Sequence, residues 1–442
     1  MSMKKLLQSK RRGSAIALVV IAILILLAVG VGLLGLGFSG RVYSHRTASD
    51  IAARCAADAG LAMALFEMNQ KLQVKPFKEG TLPLATNVNL PYSDQVCSYK
   101  VTGNLGGGYT IESIGESGLA TRAVQATIGL QSAFNHAILT KQTLTLKSGT
   151  VVDGYNSLDP SDTDIDIGIG SQSASDSSVI LNMGSTVKGD VFVASNLDSA
   201  IKDLGATIDG DQYVSAPEPL PRVTAPEDLP PLGAILAVGK TVKVTPANSG
   251  TYSSIDLKQL DIIEKKKVIG TLPAVLVVEG GDVVLHVTGD IQLGNSCEIV
   301  VKDDSSLTIY SDGNIHCRNG SGINTENPPE EADTLQIYAT GIGSQYFDIK
   351  AKSQFTGIIY APDADVDLYA NGDAYGSIVA RDFEFKAGGN FYYDEALQKK
   401  NTVKDDGVQF VVARWSESPP SFSTSPSKDV VAEPVLVVEP LK

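Results

Sequence analysis

From Gly13 to Gly40 the chain carries no charged residue, and Ser14 to Phe38 is almost wholly apolar. Wound as a helix at about 1.5 Å per residue, that stretch is about 37 Å long, more than the roughly 30 Å of a bilayer's hydrocarbon core. A core helix of a water-soluble domain is rarely so long without a charge. The competing reading is a secretory signal peptide, whose apolar region runs for about 7–15 residues before a small-residue cleavage site; this stretch is longer. Lys4, Lys5, Lys10, Arg11 and Arg12 precede it with no acid among them. That asymmetry predicts a cytoplasmic N-terminus and export of the C-terminal side. The segment therefore reads as a basic leader over 1–13 and a transmembrane helix over 14–40.

The rest of the chain is too long for one domain. At 442 residues two or more are expected. Aromatics make up only 6%, while 42 glycines and 20 prolines favour turn-rich β structure. The net charge of −14 argues against a nucleic-acid surface, which needs clustered Lys and Arg to neutralise phosphates. Asp50 to Leu72 continues as a helix, with Leu61, Leu65, Met68 and Leu72 spaced along one face for a small sheet to cover. Residues 96–102 alternate as a strand, the glycine-rich 103–108 turn, and 109–115 return. A third strand carries Val124, Ala126, Ile128 and Leu130 on one face. Residues 41–132 thus read as a small α+β module.

The basic leader ending in Gly13, the helix that abuts it, Ala56 to Leu61 (AADAGL) and Gly118 to Val124 (GLATRAV) together resemble the PilX-type N-terminal module of minor pilins. The resemblance covers about residues 1–132. It implies processing between Gly13 and Ser14 and a helix, Ser14 to Phe38, that moves from membrane to filament. Major pilins carry a glutamate at the fifth mature position, where this chain has Leu18. In assembled pili that carboxylate is thought to neutralise a neighbour's N-terminal ammonium in an apolar surround, and a buried charge needs such a partner. Its absence implies a place where no subunit precedes this one, at a filament tip.

From about 133 to 400 the pattern changes to short apolar runs broken by Gly, Asp and Asn: 179–181, 191–193, 275–278, 283–285, 299–301 and 307–310. Weak repetition accompanies them. Gly289 to Ile299 aligns with Gly313 to Ile323, and Phe355 to Ala361 aligns with Ala374 to Ala380 at a shorter offset. Stacked windings with one or two short strands each suit a right-handed parallel β-helix; a β-sandwich is the competing architecture. Ser215 to Leu232 holds six prolines, favours polyproline conformation, and reads as an excursion between early and late windings. Residues 401–442 read as a largely disordered tail around Trp415, in which Pro434 to Val438 offers an edge strand. Asp153-Gly154-Tyr155-Asn156-Ser157, Gly250-Thr251-Tyr252, Gly357 to Pro362, Gly376 to Ala380 and Tyr392 to Leu397 resemble a β-helical domain of unassigned function. That domain recurs behind PilX-type N-termini in envelope proteins of Gram-negative bacteria. In relatives the last motif commonly reads His-Tyr-Asp; here Tyr392 stands in the His position, and the motif is expected to close the final winding.

Chemistry is sparse. His45, His136, His286 and His316 stand at no metal-ligand spacing with another His or Cys, and His316 beside Cys317 is adjacent rather than convergent. Asp159, Asp162, Asp164 and Asp166 are the one calcium candidate. An EF-hand loop beginning at Asp162 would need Gly and Glu where the chain has Ile167 and Ser173, so a solvated acidic loop is the plainer reading. Asp363 and Asp365 form a carboxylate pair of the kind that serves glycoside chemistry, though alternate residues on a strand ordinarily just face solvent together. Four cysteines permit three connectivities. Cys55 with Cys97 would staple helix to sheet in an oxidising envelope, whereas Cys297 and Cys317 fall out of register and read as buried free thiols.

The expectation is a mainly β protein that is not an enzyme and needs no cofactor or metal. Its first module is a transmembrane pilin-like helix with a small antiparallel sheet, held single-pass in the inner membrane with the C-terminal region periplasmic or at the cell surface. It would join other pilin-like subunits and their assembly machinery in a type IV pilus-like or type II secretion-like filament, displaying the β-helix for structural or adhesive use. Two alternatives stand beside it. One is a tethered β-helix that binds or cleaves surface glycans, and the other is an uncleaved envelope scaffold.

Overall fold

The computed structural model describes residues 14–74, 77–162, 164–352, 354–370, 372–386, 389–399 and 405–418. The leader with Gly13, and 419–442 with Pro434 to Val438, lie outside the described residues. The chain is mainly β, with one long N-terminal helix, and divides into two compact units. The first is drawn from Met1–Glu67, Thr81–Ile128 and Val412–Lys442, the second from Met68–Gly80 and Gly129–Val411.

A single helix, α1, runs Ser14–Gln73, and its residues up to Glu67 belong to the first unit. The residues between the two expected helices, 41–49, carry no proline and continue the winding. Its apolar N-terminal half is uncovered: Leu18 is 66% and Phe38 73% exposed, and the helix is long and apolar enough to serve as a single-pass anchor. Further along, Ala53, Ala56, Ala57, Leu61 and Ala64 are buried, whereas Leu65 is only half-buried. The buried stripe is therefore narrower in side chain than expected, and small residues let the sheet approach the helix backbone. A Cβ at Gly115 would lie 2.1 Å from the Ala53 carbonyl oxygen.

That sheet is antiparallel: β1 (Leu84–Asn89), β2 (Val96–Asn104), β3 (Gly108–Ser117) and β4 (Ala120–Gln131), in sequential order. Cys97, Tyr99, Val101, Ile111, Val124, Ala126 and Ile128 bury one face, and the Tyr99 hydroxyl donates to Glu67 at 2.5 Å. A fifth strand, Gln409–Ser418, joins the sheet beside β4. This corrects the reading of 401–442 as tail: Trp415 lies under the Arg54 guanidinium, 5.2 Å from its ring, and Arg122 bridges Asp50 and Glu417.

The second unit is built on a sheet of 21 strands whose described pairings are all parallel, beside a smaller parallel sheet of four. All six apolar runs picked from the sequence lie in strands, and the repeat offsets are the pairing offsets. Ile291 pairs with Ile315 and Ile299 with Ile323, while Thr356 pairs with Tyr375 and Ala361 with Ala380. Val, Ile and Leu alternate into a continuous interior, as strands one winding apart require. One hairpin was not foreseen. Leu260–Glu264 and Lys267–Leu272 pair antiparallel through Lys265 and Lys266, both at positive φ, the geometry of a tight two-residue turn.

The order of windings differs from the order of sequence. One register runs through Pro231, Thr251, His286, Tyr310, Tyr338, Tyr360, Val379, Leu139, Gly170, Phe192 and Tyr213. The chain therefore enters mid-stack near Ile138 and winds outward to Val214. It then crosses to the other end at Pro231 and winds back until Asn390–Asp394 pairs with Val151–Tyr155. Ten strand steps of about 4.8 Å make about 48 Å. The chain from Val214 to Pro231, at about 3.1 Å per residue in polyproline conformation, covers about 53 Å. The proline-rich segment is thus a strap of the length its task requires, with Pro231 and Leu232 already in the next strand. It lies along the outward aromatic line: Leu220, Val223 and Ala225 pack with Phe192, Tyr310, Tyr338 and Tyr360, and the Tyr360 hydroxyl donates to the Pro221 carbonyl at 2.7 Å.

Candidate functional site

The closure of the stack brings together two of the motifs singled out in the sequence. Along Asn390–Asp394, Phe391 and Tyr393 point inward and are buried, so Tyr392 points out. Tyr393 anchors the strand by donating to the Phe134 carbonyl at 2.8 Å. Asp394 is 2% exposed and accepts from the Ser157 backbone N–H at 3.0 Å, from the Ser157 hydroxyl at 2.7 Å and from the Ala396 N–H at 3.1 Å. Glu395 accepts from the Asn156 amide at 3.0 Å and from the Asp166 N–H at 3.3 Å. These carboxylates lock the turn after Tyr155 to the end of the last winding.

The rings of Tyr375 and Tyr392, on successive windings, stack with centroids 5.0 Å apart and 17° between planes. Tyr155 meets Tyr375 edge-on at 6.0 Å and 76°. Burial, with Asp394 and Glu330 nearby, pushes the Tyr155 hydroxyl well above its usual pKa, so it stays protonated. The winding at Tyr375 comes close to its neighbour: Gly376 has φ +128°, and a Cβ there would sit 1.9 Å from the Gly357 carbonyl oxygen. Between the three tyrosines and the turn is a cavity of about 490 Å³, lined also by Asn156, Pro160, Asp162, Ile165 and Glu330. The aromatic walls carry an acidic rim, and no Lys, Arg or His lines the cavity among the described residues.

The other expected residues do not converge. Asp159 accepts from Ser161, Asp162 from Asn156 and the Asp164 N–H, and the Asp166 N–H turns to Glu395. The carboxylates of Asp159 and Asp162 thus serve their own turn, Asp164 and Asp166 join it through their backbone N–H groups, and no group of three or more His, Cys, Asp or Glu is placed to hold a metal among the described residues. Asp363 and Asp365 are taken up by ion pairs. Asp363 meets Lys141 at 2.8 Å and Arg222 at 3.8 Å. Asp365 meets the Arg381 Nε at 2.8 Å, and burial raises its pKa. His136 faces Glu218 and His286 faces Asp312, His316 lies against the ring of Tyr346, and His45 is exposed.

The expected Cys55–Cys97 disulfide is corrected: all four cysteines are free. Cys97 packs against Gly60, with its Sγ 3.4 Å from where a Cβ there would lie. Cys55, five residues earlier and so about 140° around the helix, is exposed. Cys297 and Cys317 are buried and unpaired as read, and burial pushes the Cys317 thiol up to about 12.

Both motifs are visible in the sequence, which places Tyr392 to Leu397 at the close of the final winding and gives Asp153 to Ser157 no neighbour. The convergence of Tyr155 and Tyr392 on one cavity was missed. The only local signal was that each end of the domain carries a Tyr beside hydrogen-bonding residues.

Residues 271–400 match a family model described as a domain of unknown function (DUF7305), a span that includes Tyr375 and Tyr392 and begins after Tyr155. No curated protein matches the chain. Among solved structures, the crystal structure of the competence-associated pilin ComZ from Thermus thermophilus is similar at 15% identity. The alignment covers 84% of this chain and 97% of that chain with a TM-score of 0.28, too low for the likeness to bear on fold or function.

Proposed function

We propose that the chain is a membrane-anchored subunit of minor-pilin or pseudopilin type, and that its parallel array is a right-handed β-helix displayed from a type IV pilus-like or type II secretion-like filament. The observation that carries the reading is the single helix Ser14–Gln73. Its first half is an uncovered apolar rod, and its second half is docked on an antiparallel sheet. An apolar rod of that length is costly in water, so it belongs in lipid or among like rods. The positive leader supports a cytoplasmic N-terminus in the inner membrane. Leu18, lacking a carboxylate, supports a place at the filament tip.

Intact-mass analysis of the protein recovered from membranes tests the reading. The wild-type mature chain is expected to begin at Ser14, and Gly13→Val to retain its leader and stay out of filaments. A wild-type mass that retains the leader would make the chain an uncleaved scaffold. Regular spacing along filaments under immunogold would refute tip placement.

A further inference from the structure

We propose that the cavity formed by Tyr155, Tyr375, Tyr392, Asn156, Asp162 and Glu330 binds an oligosaccharide segment carrying a free amino group. Three observations point to a cationic sugar. The walls are aromatic, with Tyr375 and Tyr392 stacked at 5.0 Å and Tyr155 edge-on at 6.0 Å, and ring faces attract both sugar C–H surfaces and cations. The rim is anionic: Asp162 and Glu330 line the cavity, and no basic side chain does among the described residues. A ligand bearing carboxylates or phosphates is therefore repelled, and an ammonium is attracted. The volume of about 490 Å³ is far larger than a lone ammonium group needs and falls in the range of sites for ligands of a few rings.

The cavity is also held in shape before any ligand arrives. The two strands that carry Tyr155 and Tyr392 are paired in register, and the Ser157–Asp394 and Asn156–Glu395 hydrogen bonds fix the turn beside them. A preorganised site loses little on binding. This inference stands apart from filament assembly, because every residue it uses lies in the second unit.

The test is isothermal titration of the full chain in detergent micelles with a glucosamine tetramer, its fully N-acetylated counterpart and a galacturonate tetramer. The glucosamine tetramer is expected to bind and the galacturonate tetramer not to bind. The acetylated oligomer is expected to bind at least about tenfold more weakly, a gap that narrows as salt is raised. Glu330→Gln, at an exposed position that leaves the fold intact, is expected to weaken the glucosamine tetramer several-fold and leave the acetylated one unchanged. Tyr392→Ala is expected to abolish binding of both. Equal affinity for the acetylated and free amines, tighter binding of the galacturonate, or no binding of the glucosamine tetramer to the wild type would each overturn the proposal. So would a Glu330→Gln variant with wild-type affinity.

Discussion

Tyr360 holds the strap through both its ring and its hydroxyl, and its replacement gives a graded prediction. The side chain is fully buried, its ring lies edge-on to Phe134 at 6.0 Å, and its hydroxyl donates to the Pro221 carbonyl. Tyr360→Phe keeps the ring and leaves that carbonyl short of a donor, a cost of about 1–2 kcal/mol. Tyr360→Ala removes the ring as well, a cost of about 3–5 kcal/mol. Arg222, the residue after Pro221, is exposed and offers trypsin a site that becomes usable when the strap lifts. When reclosing outpaces cleavage, the rate follows the open population, so these costs translate to about 5–30-fold faster cutting for Phe and more than about 100-fold for Ala. The assay is native-state trypsin digestion of the full chain in detergent with fragments identified by mass. Cleavage at Lys266, in the exposed turn of the hairpin, serves as the internal control and is expected to keep its wild-type rate in the Phe variant. Wild-type cutting at Arg222 in both variants, or an equal rise at Lys266 in the Phe variant, would refute the strap's dependence on this contact.

Three further outcomes are expected. Native alkylation at pH 8 should modify Cys55 alone, because Cys97, Cys297 and Cys317 are buried and burial raises their pKa values; denaturation should expose four thiols without reductant. Gly376→Ala and Gly343→Ala both impose a side chain at positive φ, but only Gly376 has a carbonyl oxygen where the Cβ must go. Gly343→Ala should cost about 1 kcal/mol in denaturant titrations and Gly376→Ala at least about 2–3 kcal/mol. The His136 ring, with Nε2 3.7 Å from the carboxylate, lowers the pKa of Glu218, so that contact contributes stability above the ordinary carboxylate range and loses it as pH falls through the folded-state value. Melting curves of wild type and Glu218→Gln should therefore differ at pH 6 and converge towards pH 3.

The apolar stretch, the alternating runs and the two repeat offsets were legible because each is local: a period or a spacing that one winding imposes on the next. The strand Gln409–Ser418 was not, since its alternation is short and gives way to Ser- and Pro-rich sequence that reads as tail. The disulfide failed on helical phase. Gly60, not Cys55, is the position on α1 that faces Cys97. The tyrosine cavity was out of reach for a different reason. Tyr155 and Tyr392 are brought together by the pairing of a strand early in the domain with one at its end, and no periodicity specifies which windings become neighbours. The proline-rich segment reads as an excursion from its composition, but its role as a strap of matched length emerges only when the ladder it spans is known.

Because Ile138–Thr140 lies between a strand soon after it, Gly168–Ser171, and one centred far downstream, Ala374–Phe385, its backbone cannot be satisfied on both edges until the downstream strand has been made. The same holds for β4, whose second neighbour is Gln409–Ser418. Each unit thus waits on residues far downstream of those that begin it. A chain made N-terminus first exposes unpaired strand edges until those downstream strands arrive, so a fragment truncated before Ala374–Phe385 is expected to be prone to edge-to-edge aggregation.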